Sequence, residues 1–172
     1  MTGLLPLMVS IGILAGVATW IFLTAGAILI WAAFVAWACF FHSGGDEAAL
    51  KSTIVCNIFG VICAWIAAIV ILSIPLAETL TLPLWAAIVV AVTVAAYTIA
   101  ANITLLSSIP ATPYGYACTF AFLLQTPDKL SIDMLTSASL NNALIVVIVS
   151  MVIGALFGFA TGKFAAVLTK AE

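Results

Sequence analysis

Runs of apolar residues separated by short polar stretches make up most of the chain. Six runs can be drawn, at about residues 4–23, 26–41, 50–74, 84–106, 113–124 and 140–167. A helix needs about 20 residues to cross the hydrocarbon core of a membrane. The second and fifth runs are shorter, so we expect those helices to be tilted, broken or continued by irregular backbone. The pattern predicts an all-α integral membrane protein with six transmembrane helices in a single domain, residues 1–172.

Composition and charge agree with this class. Of the 172 residues, 66% are hydrophobic and 6% are charged, whereas soluble domains carry roughly 25% charged residues. A soluble fold would lack a polar surface here, so membrane lipid is the expected surrounding. The first apolar run lacks the basic leading region of a signal peptide, and we expect it to be a span. Four lysines and no arginine argue against a nucleic-acid partner.

The lysines also predict an orientation. With six spans, Lys51, Lys163 and Lys170 share one side of the membrane, and Lys129 lies on the other. Because positive residues near span ends favour the cytoplasmic side, we expect both termini in the cytoplasm.

The two halves of the chain, at about residues 4–76 and 83–168, resemble each other. At an offset of 79 residues, Cys39 falls on Cys118 and Phe41 falls on Phe120. In each half a long span precedes a short one, and a long span follows. Chance similarity between apolar sequences is the alternative. A true duplication of three spans predicts a 3+3 inverted repeat with a short or broken second helix in each half, and a solute path at the repeat interface.

The stretch LLSSIPATPYGYACTFAFLL (Leu105–Leu124) places prolines, tyrosines and hydroxyls inside an apolar region. Irregular backbone survives at membrane depth only when it is buried in protein or lines a wet cavity. Pro110 and Pro113 suit the first turn of a helix, where a missing N–H is tolerated. We therefore predict a helix break followed by a short helix.

Three blocks carry a resemblance to a known family: WAAFVAWACFFHSGG (Trp31–Gly45), LLSSIPATPYGYACTFA (Leu105–Ala121) and IGALFGFATGK (Ile153–Lys163). In them the chain resembles the small bacterial inner-membrane proteins grouped as domain of unknown function 1097. Ala111 departs from the pattern, since glycine is expected after the proline, and this puts a strict turn requirement in doubt. The resemblance implies an inner-membrane protein with six or so spans. It implies no established activity.

Ionisable groups are scarce inside the predicted spans. Proton-driven and ion-driven transporters usually need such a residue at depth, so the sequence argues against a pump. We also expect no enzyme, no cofactor and no metal site. The single histidine, His42, could in principle bind a metal together with Asp46 and Glu47, but such a histidine more often lies at the headgroup level without a catalytic role. His42 either lies at the headgroup level or senses pH at a pore mouth.

Polar and aromatic groups within the apolar runs are the candidates for lining a pore. These candidates are Asn57, Tyr97, Asn102, Thr112, Tyr114, Phe120 and Phe41. Their spacing places Tyr97 and Asn102 near one face of the fourth helix, and the aromatic stripes of the second and fifth spans could meet as a constriction. The alternatives are hydrogen bonding between helices for the polar groups and lipid or core contacts for the rings.

Gly154, Gly158 and Gly162 recur at steps of four, which is typical of a face that packs closely on another helix. That face could serve the repeat interface or a homo-oligomer.

We therefore expect a passive channel or facilitator for a small, mostly uncharged solute of the urea, ammonia or short-amide class. The alternative is a non-transporting subunit that binds a membrane partner. A channel needs a water-reachable polar path at Asn57, Asn102 and Tyr114, whereas a scaffold should bury those groups in paired hydrogen bonds.

Overall fold

A computed structural model describes residues 4–170, except for the side chain of Lys170. Lys170, one of the three lysines used to predict orientation, therefore has its side chain outside the described residues. The described part forms eight α-helices and one 3₁₀-helix. They are α1 (Leu5–Ala25), α2 (Ile30–His42), α3 (Glu47–Ser73), α4 (Ala77–Leu80), α5 (Leu82–Ala100), the 3₁₀-helix (Thr104–Leu106), α6 (Ala111–Gln125), α7 (Ile132–Thr136) and α8 (Ala143–Lys170).

Helices α1, α3, α5 and α8 are long and apolar enough to cross a membrane. Helices α2 and α6 have only 13 and 15 residues. At 1.5 Å per residue they extend about 20 and 22 Å, which is less than the roughly 30 Å of a hydrocarbon core. The fold is that of a helical membrane protein, and the prediction of a short second and fifth helix agrees with these lengths.

Helix α5, which corresponds to the fourth predicted span, is shorter than the apolar run that predicted it. Helix α5 ends at Ala100, and the chain turns before the 3₁₀-helix. The side chain of Asn102 donates from Nδ2 to the Ile99 carbonyl oxygen at 2.8 Å. This bond satisfies one of the carbonyl groups that a helix end leaves free, so Asn102 caps the helix rather than continuing it.

Helices α3 and α8 contact each other at the centre of the bundle. The short helix α2 packs mainly on α8, and the short helix α6 packs mainly on α3. On the outside, α1 lies against α8 and α5 lies against α3. Each short helix therefore packs on the long helix of the other half of the chain.

Glycines make these helix contacts possible. A Cβ on Gly60 would overlap the carbonyl oxygen of Thr112, and a Cβ on Gly154 would overlap that of Ala33. Thr112 follows Ala33 by the same 79 residues that separate Cys39 from Cys118. A close contact of α3 with α6 and one of α8 with α2 therefore each place a glycine against one of two carbonyl groups that the 79-residue offset aligns. Gly115 of α6 makes a further close contact with α3, at the Asn57 carbonyl oxygen.

The glycine face of α8 packs within the chain. Ring carbons of Phe40 and Trp37 lie 2.9 and 3.0 Å from a Cβ built on Gly158. A Cβ on Gly162 would lie 3.8 Å from the Gly45 carbonyl oxygen. Of the two uses left open by the sequence, this face serves the contact between α8 and the α2 region.

Side-chain contacts show which ends of the helices lie together. Ser10 Oγ donates to the Thr161 carbonyl oxygen at 2.7 Å, and Lys163 Nζ pairs with Glu47 Oε1 at 3.1 Å. The start of α1, the start of α3 and the C-terminal part of α8 therefore share one end of the bundle.

The opposite end is covered by the segment between α6 and α8. Leu135, in α7, is fully buried. Its carbonyl oxygen accepts a hydrogen bond from Trp65 Nε1 of α3 at 2.8 Å. Together these contacts hold α7 against the bundle.

Candidate functional site

A group of hydrogen-bonding side chains lies where the C-terminal end of α2 meets α3 and the first turn of α6. We call it the polar cluster, and define it as Cys39, His42, Ser43, Thr53, Asn57 and Tyr114. Its members come from both halves of the chain, because α6 belongs to the second half.

Asn57 is the innermost member of the polar cluster. Its side chain is 2% exposed, and Oδ1 accepts a hydrogen bond from Cys39 Sγ at 3.6 Å. The amide nitrogen, Nδ2, is buried and has no hydrogen-bond partner within residues 4–170. Leaving such a donor unpaired costs about 1–3 kcal/mol. The polar cluster therefore contains an open donor at its inner end.

Two hydroxyl groups connect Asn57 to the end of α2. Thr53 is fully buried and lies one helical turn before Asn57. Its Oγ1 donates to Ser43 Oγ at 3.5 Å, and Ser43 Oγ lies 4.0 Å from Cys39 Sγ. Ser43 itself is half-buried, so polar groups continue from the buried amide to the protein surface.

His42 and Tyr114 form the outer edge of the polar cluster. The His42 Nδ1 atom lies 3.1 Å from the Tyr114 hydroxyl, and the two rings meet edge to face. His42 is exposed and Tyr114 is half-buried. The sequence indicated both residues separately, and the structure brings them together.

The helix break adjoins the polar cluster. Pro110 directly precedes α6, and Pro113 lies in its first turn. Ala111 is fully buried beside Cys39 and Cys56. It is helical, so the backbone at this position requires no glycine.

The segments that precede both short helices contact the long helices beyond their first turns. Cys56 Sγ donates to the Leu105 carbonyl oxygen at 3.8 Å, about 14 Å along α3 from its start. In the other half, the Leu29 N–H donates to Ser150 Oγ at 2.9 Å, about 10 Å along α8 from its start. Each long helix thus provides one side chain to the irregular backbone before a short helix.

The corresponding region of the second half is apolar. Relative to Gly154, Met151 occupies the position that Asn57 occupies relative to Gly60. In the same alignment, Val147 occupies the position of Thr53. Met151, Val147 and Cys118 are all buried in one apolar cluster. The polar groups are therefore confined to the end of the bundle that holds the start of α3.

Tyr97 and Asn102 do not join the polar cluster. Tyr97 is buried against Tyr116, with ring centroids 5.6 Å apart, on the side of α3 that faces α5. Asn102 is exposed beyond the end of α5. The predicted shared helix face of these two residues is wrong, because the helix ends at Ala100.

The two aromatic stripes do not meet as a constriction. Phe41 belongs to the apolar cluster that α2 forms with α1 and α8. Phe120 packs on Tyr116, with ring centroids 5.2 Å apart, in the region of α5 and α6. The two phenylalanines therefore lie on different sides of the bundle. Thr112 is 2% exposed, and its carbonyl oxygen faces Gly60.

Cys39 and Ser43 belong to the site, although the sequence did not indicate them. Their spacing of four residues places both on one helix face, and this was the available signal. Cys39 resembled an ordinary small buried hydrophobe.

The surface depressions lie away from Asn57. Two of them open at the end of the bundle where α3 begins, with volumes of about 490 and 380 Å³. The first contains Glu47 and Lys163, and the second contains Lys51, Thr104 and Ser107. Asn57 lines neither of these two depressions.

Comparison with known proteins adds the family. Residues 8–166 match the family described as Protein of unknown function (DUF1097). No curated protein and no solved structure matches the chain. Because the match covers nearly the whole chain, the protein belongs to the DUF1097 family.

Proposed function

We propose that the protein is a passive facilitator for a small, mostly uncharged solute of the urea, ammonia or short-amide class. The observation that carries the proposal is the polar cluster, which ends inward at the unpaired Nδ2 atom of Asn57. A buried donor beside a helix break is expected where a solute with hydrogen-bonding groups passes.

The proposal includes six membrane passes arranged as a 3+3 inverted repeat. It is supported by the exchange of partners, in which α2 packs on α8 and α6 packs on α3. The equivalent close contacts, Gly60 with Thr112 and Gly154 with Ala33, give further support. In inverted repeats, solute sites lie near the midplane at the repeat interface beside discontinuous helices, which is where Asn57 lies in this arrangement.

The distribution of the lysines supports a proposed orientation, and the resemblance to inner-membrane proteins supports a proposed location. Lys51 lies near the start of α3, and Lys163 pairs with Glu47 at that same end of the bundle. Lys129 lies in the segment that covers the opposite end, where it donates to Asn141 Oδ1 at 2.7 Å. With positive residues favouring the cytoplasm, we place both termini there and the protein in the bacterial inner membrane.

The chemistry of the polar cluster favours a neutral solute. Apart from His42, its members are amide, hydroxyl and thiol groups, which are uncharged at neutral pH. The Glu47–Lys163 pair lies outside it, with side chains 79% and 61% exposed. An ion would leave water without a compensating charge beside it, at a cost of several kcal/mol.

A non-transporting subunit is the second candidate. It is favoured by the apolar packing of Met151, Val147 and Cys118, which closes the second half of the proposed path. The outer helices α1 and α5 have little of their apolar surface buried, so lipid, another copy of the chain or a membrane partner can cover them. We include a homo-oligomer in both candidates.

Solute flux into proteoliposomes tests the proposal. Stopped-flow light scattering follows urea, acetamide, glycerol and water, and an internal pH dye follows ammonia. We expect at least one solute to enter faster than through protein-free liposomes, and Tyr114→Trp to slow it by placing a larger ring beside the cluster. Tyr97→Trp, the same change outside the cluster, is the matched control. Entry no faster than the lipid leak for every solute would overturn the proposal.

A further inference from the structure

We propose that the polar cluster is a binding site for the amide group of a small neutral molecule, with Asn57 Nδ2 donating to its carbonyl oxygen. This inference deepens the proposed function and rests on it, because the same cluster lines the proposed path. It names the chemical group that the path recognises, and it narrows the solute class to urea and short amides.

The Asn57 side chain has an accepting oxygen with a partner and a donating nitrogen without one. An asparagine amide offers two N–H donors and one acceptor oxygen. The oxygen already accepts from Cys39 Sγ at 3.6 Å, whereas the nitrogen has no partner in the described part of the chain. What is missing is therefore an acceptor. Ammonium and methylammonium ions carry no acceptor and do not fit this requirement.

The neighbouring hydroxyl groups of Ser43 and Thr53 are held by weak contacts. Ser43 Oγ lies 3.5 Å from Thr53 Oγ1 and 4.0 Å from Cys39 Sγ. The hydroxyl contact is longer than the usual 2.7–2.8 Å of an O–H···O bond, so it is weak. Lone pairs on Ser43 and Thr53 can therefore accept an N–H from a ligand without loss of a strong bond.

Together these groups complement a primary amide. Its carbonyl oxygen accepts from Asn57 Nδ2, and its NH₂ group donates to a hydroxyl of Ser43 or Thr53. Urea and acetamide offer both functions. Methylammonium lacks any acceptor and is the negative control. Glycerol offers hydroxyl oxygens as acceptors but no carbonyl, so it tests whether the site prefers a carbonyl.

Access is expected from the side of His42 and Tyr114. These two residues bound the cluster at the end where His42 is exposed. Binding requires them to separate, because Asn57 is 2% exposed. Cys39, in contact with the Asn57 oxygen, reports on that opening through its reaction with a small neutral thiol reagent.

The experiment combines flux with Cys39 labelling in proteoliposomes of the full chain. A variant in which Cys39 is the remaining cysteine (Cys56→Ala, Cys63→Ala, Cys118→Ala) is treated with methyl methanethiosulfonate, with and without acetamide. The same measurements are made on Asn57→Leu, which removes the amide at similar size. Asn102→Leu is the matched control outside the cluster, and gel filtration verifies that each variant is monodisperse.

We expect acetamide and urea to slow Cys39 labelling in the parent more than glycerol does, and methylammonium to leave it unchanged. Loss of one hydrogen bond to the ligand corresponds to about tenfold weaker protection in Asn57→Leu. Asn102→Leu should behave as the parent does.

The outcomes separate the two proposals. Acetamide flux that is unchanged by Asn57→Leu overturns the amide site and leaves the facilitator standing. Protection without flux supports the site and overturns the facilitator. Cys39 that never reacts, or that reacts equally with and without acetamide, overturns the site, and a bound water at Asn57 then explains the open donor.

Discussion

His42 and Tyr114 are separated by 72 residues in the chain, yet His42 Nδ1 lies 3.1 Å from the Tyr114 hydroxyl. His42 ends α2, and Tyr114 lies in the first turns of α6. The contact therefore connects the short helices of the two halves, at the outer edge of the polar cluster. Any opening of the polar cluster toward that side has to break it.

Removing the Tyr114 hydroxyl should make the polar cluster easier to enter. Tyr114→Phe keeps the ring and deletes the bond to His42. A hydrogen bond of this kind contributes about 0.5–1.5 kcal/mol, so we expect Cys39 labelling to become about 2- to 10-fold faster. The measurement is the labelling rate in the single-cysteine background.

Tyr97→Phe is the matched control for this prediction, because it makes the same change on the α5 side of α3. Equal labelling rates for Tyr114→Phe and the parent would show that the His42–Tyr114 contact does not limit access.

The two close helix contacts should be equally sensitive to added volume. A Cβ on Gly60 or on Gly154 would overlap a backbone carbonyl group of the facing helix, and backbone cannot move aside as a side chain can. We expect Gly60→Ala and Gly154→Ala each to lower the free energy of unfolding by about 1–3 kcal/mol. Thermal unfolding in detergent, followed by tryptophan fluorescence, measures the loss.

Gly16→Ala provides the control for both substitutions. A Cβ on Gly16, in α1, meets no heavy atom of the described residues within 4 Å, and alanine is the better helix former. Its stability should therefore match or exceed that of the parent. If Gly154→Ala were neutral while Gly60→Ala destabilised, the equivalence of the two contacts would be lost.

The sequence predicted the elements well because membrane helices are recognisable from apolar length alone. The short lengths of α2 and α6, and the break before Ala111, follow from apolar run length and proline position. Partner choice does not follow from such patterns. Nothing in the sequence of α2 shows that it packs on α8, because the contact depends on small residues that also occur on faces directed to lipid.

The candidate site was predicted only in part, for a related reason. Asn57 and Tyr114 stood out as polar groups in apolar runs, and the structure places both in the polar cluster. Asn102 stood out in the same way but caps the end of α5, since a polar residue near a helix end satisfies backbone as readily as it lines a path. Cys39 was missed because its role depends on a neighbour 18 residues away.

The segment that covers the other end of the bundle should depend on Leu135. This side chain is fully buried, and its carbonyl oxygen accepts from Trp65 Nε1 at 2.8 Å. Leu135→Ala leaves a cavity, and we expect a loss of about 2–5 kcal/mol in the free energy of unfolding. Leu140→Ala, which makes the same change at a side chain 45% exposed, should change it by less than about 0.5 kcal/mol. Similar unfolding temperatures for both variants would contradict a structural role for Leu135.

The proposed six-pass topology makes a prediction that can be tested in intact bacteria. Ala48, Glu78, Thr104 and Ala138 are exposed residues near the start of α3, in α4, in the 3₁₀-helix and in the segment before α8. With both termini in the cytoplasm, Glu78→Cys and Ala138→Cys should react with a membrane-impermeant maleimide added outside the inner membrane. Ala48→Cys and Thr104→Cys should react only after permeabilisation. The cysteines are introduced one at a time into a cysteine-free background, and permeabilised cells provide the control for reactivity.

A topology with only the four long helices spanning would give a different result: without a pass by α6, Thr104 and Ala138 would lie on the same side and would label together.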